Sequence, residues 1–230
     1  MSTTTPAVES EDVCRRFGTR WALVDVRLSV TRGETFVLTG RNGSGKSTLL
    51  RVVATALRPH RGTARVEGLD VRTRRDAVRT RLSLLGHHSN LYEPLTAREN
   101  LEVMRAFLDA PGRPDAVIHA LDRVGLAERA DDVVSTFSSG MRKRLQLARL
   151  LVKRAPLVLL DEPFAALDPA GFRLVEELIA EQKARGATVM MATHLLERAR
   201  ELGDEAVVLA AGRVSWRGPA RELPPAEVGP

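Results

Sequence analysis

Hydrophobic positions along the chain follow two different periods, which predict strands in some segments and helices in others. Val26, Leu28 and Val30 alternate with polar residues, as in a strand that is buried on one face. Apolar runs at residues 35–39, 157–160, 187–192 and 205–210 predict buried strands. Residues 8–85 are therefore predicted to be strands joined by turns, interrupted by one helix after Lys46.

Helical spacing replaces this pattern in the middle of the chain, over about residues 87–153. Leu101, Met104 and Phe107 recur at the spacing of one helix face, and further helices are predicted over 169–185 and 195–202. Strands that alternate with helices indicate an α/β fold with a mostly parallel sheet. We predict a single domain over residues 1–230, with loose ends at about 1–7 and 219–230.

The composition favours a globular protein over a membrane-spanning or secreted one. Of 230 residues, 43% are hydrophobic and 28% charged, which is ordinary for a globular protein. No apolar run approaches the roughly 20 residues of a membrane helix, and residues 1–9 do not resemble a signal peptide. We therefore expect a protein that reaches a membrane only by docking to another chain.

Charge and cysteine content bear on two further kinds of site. The net charge is +6, but the Arg residues are scattered rather than striped along one helix face, so no nucleic-acid partner is expected. Anion attraction remains open as the alternative interpretation of this charge. The lone Cys14 rules out a disulfide framework or a cysteine-based metal site within this sequence.

A glycine-rich phosphate-binding pattern follows the predicted strand at 35–39. The residues that fit G-x-x-x-x-G-K-[ST] are Gly40, Arg41, Asn42, Gly43, Ser44, Gly45, Lys46 and Ser47, with Thr48 next in the helix that follows. Glycines allow backbone N–H groups to surround a phosphate, and the helix N-terminus adds a positive dipole. Lys46 is expected to reach the β- and γ-phosphates of ATP, and Ser47 to bind Mg²⁺.

Two adjacent carboxylates end the predicted strand at 157–160. Asp161 and Glu162 would then lie at the carboxyl end of a parallel sheet, where ligands bind in this class of fold. Asp161 is a candidate for holding Mg²⁺, and Glu162 is a candidate general base for an attacking water. The alternative interpretation is an ordinary solvated Asp-Glu step at the start of a loop.

Residues 137–141, Phe-Ser-Ser-Gly-Met, resemble the Leu-Ser-Gly-Gly-Gln signature of the ABC transporter ATPase family, with three departures. The resemblance covers nearly the whole chain. It implies a P-loop NTPase core of ABC ATPase type, with an antiparallel β subdomain and an inserted α-helical subdomain. In this family the edge formed here by Ser138, Ser139 and Gly140 meets the ATP held by the opposite subunit. The alternative is an ordinary capped helix.

Three further positions match the family one by one. Phe17 corresponds to the aromatic residue that stacks on adenine, although it could be a core residue. His194 corresponds to the switch histidine at the γ-phosphate, although a lone His is more often structural. Asp168 corresponds to the loop that crosses the dimer interface, although it could be only a helix N-cap before Pro169.

The family usually carries a Gln that senses Mg²⁺ and the attacking water, where this chain has His88. A neutral His can still make one hydrogen bond there, whereas a cationic His would repel Mg²⁺, so we predict lower activity in acid. A shift of one position would place His87 there instead.

The resemblance implies the reaction and the partners. ATP and water would give ADP and phosphate, with Mg²⁺ as cofactor, at two sites in a head-to-tail homodimer. The partner would be an integral membrane transporter subunit, and the motor would lie peripherally at the cytoplasmic face of the inner membrane.

The prediction of which kind of transporter this motor drives depends on a weaker resemblance. Residues 85–87, 95–101 and 137–142 are similar to the compact heme-exporter ATPases of cytochrome c maturation, which gives the main prediction. The alternatives are the motor of a generic ABC-2-type exporter of drug or lipid, or a non-transport ABC ATPase that acts on ribosomes or DNA.

Overall fold

The computed structural model describes residues 5–86, 90–107 and 115–225 of the chain, and these fall into two compact units. The first, called the sheet unit, comprises residues 5–86, 156–163 and 179–225. The second, called the helical unit, comprises residues 90–107, 115–155 and 164–178. The helical unit is thus formed by two insertions into the sequence of the sheet unit.

Ten strands form two sheets in the sheet unit. In chain order the strands are β1 (Val8–Phe17), β2 (Arg20–Val30), β3 (Thr35–Thr39), β4 (Arg61–Val66), β5 (Leu69–Asp70), β6 (Leu82–Leu85), β7 (Leu157–Asp161), β8 (Thr188–Ala192), β9 (Glu205–Ala210) and β10 (Arg213–Pro219).

Seven α-helices accompany the strands in the described parts of the chain. They are α1 (Lys46–Val53), α2 (Arg75–Thr80), α3 (Ala97–Phe107), α4 (Ala116–Arg123), α5 (Ser139–Lys153), α6 (Pro169–Ala184) and α7 (Leu196–Leu202).

The smaller sheet is antiparallel, with strand order β2-β1-β4-β5. Val26, Leu28 and Val30 of β2 are buried while the residues between them are exposed, which explains the alternation in the sequence. Val8 faces Val30 on one side and Val66 on the other, so the three strands bury their apolar faces together.

The larger sheet has strand order β10-β9-β3-β8-β7-β6, and only β10 runs antiparallel to its neighbour. Strands β3, β7 and β8 are buried along their whole length. Continuous apolar strands of this kind are typical of parallel sheets covered on both faces. The order brings the carboxyl ends of β3, β8 and β7 side by side, although they are far apart in sequence.

The helical unit is built on apolar helix faces. Leu101 on α3 and Leu145 on α5 are completely buried, and Val117 of α4 is nearly so. Buried Asn100 ties the preceding loop to α3, because its side chain accepts from the N–H of Tyr92 and donates to the carbonyl groups of Tyr92 and Thr96. Phe107 belongs to the helix face predicted from the sequence, but its side chain lies outside what the structure describes.

The fold class predicted from the sequence is confirmed, and several local features differ. Ala7, in the predicted loose end 1–7, is buried and donates to the Val30 carbonyl. Residues 75–80 form α2, whereas the sequence analysis expected only one helix before residue 85. Because α2 has six residues and buries only Val78, it has no amphipathic pattern to detect. Residues 219–223 were expected to be loose, yet Ala220 and Leu223 are buried and Arg200 donates to the Leu223 carbonyl.

The lengths and compositions of the helices show whether any of them could span a membrane. Among the described residues, no helix combines the length and the apolar character required to cross a bilayer.

Candidate functional site

The phosphate loop, residues 40–47, joins the carboxyl end of β3 to the N-terminus of α1. Gly45 is the N-cap residue of α1, and no side chain of the described residues caps that end, so the first N–H groups of the helix are available to another partner. One hydrogen bond closes a turn within the loop, and another ties the loop to Gly212. The Ser44 N–H donates to the Arg41 carbonyl at 3.1 Å, and the Ser44 carbonyl accepts from the N–H of Gly212 at 3.1 Å.

Two glycines are required by close approach as well as by backbone conformation. Gly45 has φ of 113°, and a Cβ at this position would lie 2.5 Å from the Ala22 carbonyl oxygen. Gly40 has φ of 133°, and a Cβ there would overlap the carbonyl oxygen of Leu209. Both values lie where residues with a side chain are strained. The loop therefore lies directly on the start of β2 and the end of β9.

Lys46 is folded back into the loop, with only 5% of its surface exposed. Its Nζ donates to the carbonyl oxygens of Gly40 at 2.7 Å and Arg41 at 3.2 Å. Burial lowers the pKa of the Lys46 ammonium group, and this effect is partly opposed by the negative charges of Glu162 and Asp161.

Ser44 supplies a test of whether an anion fits the loop. Its Oγ is buried and has no hydrogen-bond partner among the described residues. A buried hydroxyl without a partner is costly, and a phosphate oxygen would supply the missing acceptor. Together with the lysine and the helix N-terminus, this donor set fits a polyphosphate.

The next two polar groups come from α1 and β7. The Ser47 Oγ donates to Asp161 Oδ1 at 2.8 Å, and Asp161 is 2% exposed. In the described ranges, no group of three or more His, Cys, Asp and Glu side chains could hold a metal by itself. One hydroxyl and one carboxylate are, however, what Mg²⁺ takes from a protein when phosphates and water complete its shell.

Glu162 and His194 meet because β7 and β8 are neighbours in the sheet. Glu162 Oε2 lies 2.9 Å from His194 Nδ1, and the Glu162 N–H donates to the Ala192 carbonyl at 2.9 Å. Glu162 has φ of 47°, an uncommon value for a residue with a side chain. With this backbone conformation, the Glu162 carboxylate contacts His194, whereas the preceding carboxylate of Asp161 contacts Ser47.

Phe17 lies at the end of β1 and is 48% exposed, so the alternative of a core residue is excluded. The guanidinium group of Arg15 lies 4.9 Å from the centre of its ring. A planar ring with a cation on one face is a surface on which a base could stack. Thr48 lies in the first turn of α1, immediately after the phosphate loop.

The signature residues lie in the helical unit, at the start of α5. Ser138 is the N-cap residue and its Oγ accepts from the N–H of Met141 at 3.2 Å. Ser138 and Ser139 are both exposed, and Gly140 is half-buried. A capped helix is therefore present, and its first turn faces outward, where a second molecule can reach it.

Asp168 performs the capping role that was its alternative interpretation. Its Oδ1 accepts from the N–H of Gly171 at 2.8 Å and from Arg144 at 3.1 Å. The Gly171 N–H and then the Arg144 guanidinium lower the pKa of this carboxyl group. The side chain is nevertheless well exposed, so a second role at an interface remains open to it.

Two predicted residues lie outside the described ranges, and the structure shows contacts of the phosphate loop that the sequence did not predict. His87 and His88 fall in the gap at 87–89. The sequence did not indicate that Ala22 and Leu209 are backbone supports of the phosphate loop. It also did not indicate that the N–H of Gly212 donates to the Ser44 carbonyl of the loop. These contacts join positions distant in sequence, and no local signal marks them.

Comparisons with known proteins agree with this geometry. Residues 23–165 match the family described as ABC transporter. Daunorubicin resistance ATP-binding protein DrrA3 of Streptomyces coeruleorubidus is 39% identical over 219 residues, which cover 94% of this chain and 69% of that protein. Nod factor export ATP-binding protein I of Bradyrhizobium diazoefficiens is 36% identical over 214 residues, or 92% and 70%.

Among solved structures, a dimeric ATP-binding cassette in a post-hydrolysis state, bound to ADP and Pi, has a TM-score of 0.85. It is 25% identical, and the alignment covers 94% of this chain and 100% of that chain.

The close contact at Gly45 predicts a specific cost. Gly45→Ala should destabilise the fold by about 2 kcal/mol more than Gly33→Ala, because only Gly45 would press a Cβ against backbone. Gly33 also has positive φ but open space around it, so Gly33→Ala should cost only the strain, about 1–2 kcal/mol. Urea unfolding measures both. Equal destabilisation by the two changes would show that the loop does not lie against β2.

Proposed function

The chain belongs to the ABC transporter family, and we propose that it is the ATP-hydrolysing motor subunit of an exporter of drug-like or lipid-like molecules. One observation supports ATP hydrolysis above all others. A phosphate loop with a buried lysine, a Ser47–Asp161 pair and a Glu162–His194 pair lie along one edge of a parallel sheet.

The loop and Lys46 would bind the triphosphate. An incoming phosphate offers Lys46 a charged acceptor in place of the two carbonyl oxygens that it now contacts, and charged acceptors form stronger hydrogen bonds. The loop N–H groups and the hydroxyl of Ser44 would satisfy the remaining phosphate oxygens. Arg41, Asn42, Gly43 and Thr48 would contribute through the loop backbone and the first turn of α1.

Glu162 would deprotonate the attacking water, and His194 would position Glu162 for this step. The Glu162 carboxylate would accept a proton from this water as it attacks the γ-phosphorus, and ADP would leave. His194 would hold Glu162 in place through the observed contact. With both ring nitrogens protonated, it would also donate from Nε2 to a γ-phosphate oxygen. His88 stays a candidate for sensing the same water.

Ser47 and Asp161 would hold Mg²⁺. When bound, this ion would neutralise charge on the β- and γ-phosphates. The hydrogen bond between Ser47 and Asp161 keeps the two side chains close enough together to bind the same cation.

A head-to-tail homodimer would complete each site. The exposed Ser138–Gly140 edge of one copy would face the phosphates held by the other copy, and Asp168 would lie at the same interface. The solved dimeric cassette with 25% identity, which is bound to ADP and Pi, supports a dimer. ATP would then favour the closed pair because it contacts both copies, and hydrolysis would release it.

An integral membrane subunit is the proposed partner, with the motor lying peripherally at the cytoplasmic face of the membrane. The names of the two relatives support export, since one concerns daunorubicin resistance and the other Nod factor export. Neither name concerns heme, so the alternative from the sequence analysis is better supported than the heme exporter. A non-transport ABC ATPase has no support from these relatives.

Removing the proton acceptor should separate binding from hydrolysis. Glu162→Gln should lower the rate of phosphate release by about 100- to 10,000-fold while MgATP still binds, because the amide keeps the shape but cannot take a proton. Steady-state phosphate release and equilibrium binding measure the two effects. Glu177→Gln, at an exposed position on α6, is the matched control and should behave like the parent. Turnover of Glu162→Gln at the parent rate would exclude Glu162 as the base.

A negative charge introduced at Ser138 should prevent formation of the dimer without unfolding the chain. Ser138→Asp keeps a side chain that caps α5, so the unfolding midpoint should stay near that of the parent. It would also put a carboxylate against the phosphates of the second copy, and ATP-dependent dimer formation should be lost. Ser138→Asn caps equally well without charge and should dimerise more readily. Light scattering with Glu162→Gln as background measures this, and a dimer of normal stability with Ser138→Asp would contradict the head-to-tail arrangement.

The transported class can be tested in the source organism. Deletion of the coding sequence should increase sensitivity to amphipathic drugs or change export of a lipid-like product, while c-type cytochrome content stays normal. Complementation with the parent should restore the phenotype, and complementation with Lys46→Ala should not. A loss of c-type cytochromes with unchanged drug sensitivity would instead favour the heme exporter.

A further inference from the structure

The start of β2 lies along the phosphate loop, and one of its side chains has no assigned role. Ala22 and Leu23 contact the loop at Gly45, where the positions of their atoms leave no room for a Cβ. Two residues earlier, Arg20 reaches the same loop. Its Nη2 lies 3.5 Å from the place where a Cβ on Gly43 would be.

Arg20 also lies beside the surface proposed to hold the base. Phe17 and Arg20 face each other across the tight turn between β1 and β2, as partners in the strand register. The residue is therefore adjacent to Phe17 through its backbone and to the phosphate loop through its guanidinium group. A nucleotide whose base lies on Phe17 and whose phosphates lie in the loop must pass this side chain.

The guanidinium charge of Arg20 is not compensated by any of the described residues. The Arg20 side chain is exposed, and within the described ranges it makes no hydrogen bond or ion pair. Neighbouring arginines differ, since Arg15 donates to the Arg58 carbonyl and Arg27 pairs with Asp12. An unpaired guanidinium group next to a loop that already holds a lysine and a helix N-terminus adds positive potential there. Such a group gains most from a phosphate, whose oxygens match its donors.

We infer that Arg20 is a further nucleotide-binding residue, which contacts the phosphate closest to the ribose. This inference rests on the proposed ATP site and deepens it. The contact would be made in the open, single-copy state, because Arg20, Phe17 and the loop all belong to the sheet unit of one chain. It would be made equally to ATP and ADP, since both carry that phosphate.

The test compares nucleotide affinity among three variants. Arg20→Gln should weaken binding of both MgATP and MgADP by about tenfold, as expected for one hydrogen-bonded charge contact. Arg20→Lys should recover part of the loss. The matched control is Arg72→Gln, which removes the same charge from an exposed site after β5, at the other edge of the four-stranded sheet. It should bind like the parent. Calorimetric titration gives the affinities.

The kinetic constants and the unfolding midpoint of Arg20→Gln are the remaining measurements. In the hydrolysis assay Arg20→Gln should raise KM and leave kcat near the parent value, because the contact is the same in the ground state and the transition state. The unfolding midpoint should not change. Parent affinity in Arg20→Gln, a loss confined to ATP, or a loss that follows a lower midpoint and is not recovered by Arg20→Lys would overturn the inference. A parent protein that binds no nucleotide would instead refute the proposed function itself.

Discussion

The site depends on how the backbone of the phosphate loop is held against β2 and the β9–β10 turn. Gly45 lies against the Ala22 carbonyl, and the N–H of Gly212 holds the Ser44 carbonyl. These contacts join the antiparallel and the parallel parts of the sheet unit at one point. They fix the direction of the loop N–H groups before any anion arrives, so little ordering of the backbone remains to be done on binding. Lys46 and Ser47 take their positions from this fixed loop.

Strand order supplies the second half of the site. Because β3, β8 and β7 are adjacent and parallel, the loop, His194 and the Asp161–Glu162 pair end at the same edge. Glu162 has a left-handed backbone conformation, and the two adjacent carboxylates have different partners. Asp161 stays buried against Ser47, while Glu162 turns to His194. Two adjacent residues can thus have different chemical roles, one toward a cation and one toward water.

Local features of the sequence predicted much of this arrangement. The phosphate loop, the strand before Asp161 and the capped helix at Ser138 are encoded by neighbouring residues, so pattern and spacing reveal them. Arg20 and the supports at Ala22 and Leu209 depend on which strands pack together, and no short motif encodes that. Helix α2 was not predicted because it buries a single side chain. The structure of residues 219–223 was not predicted because the prolines at 219, 224 and 225 resemble those of a free chain end. The role of His88 stays a prediction, since it lies outside the described residues.

Titration calorimetry of the purified parent chain with ADP, in the presence and absence of Mg²⁺, tests the central claim most directly. The account predicts saturable binding of one nucleotide per chain, tightened by Mg²⁺ through Ser47 and Asp161. It also predicts loss of that binding in Lys46→Ala, at an unchanged unfolding midpoint. An absence of saturable binding, or binding that neither Mg²⁺ nor Lys46 affects, would contradict it.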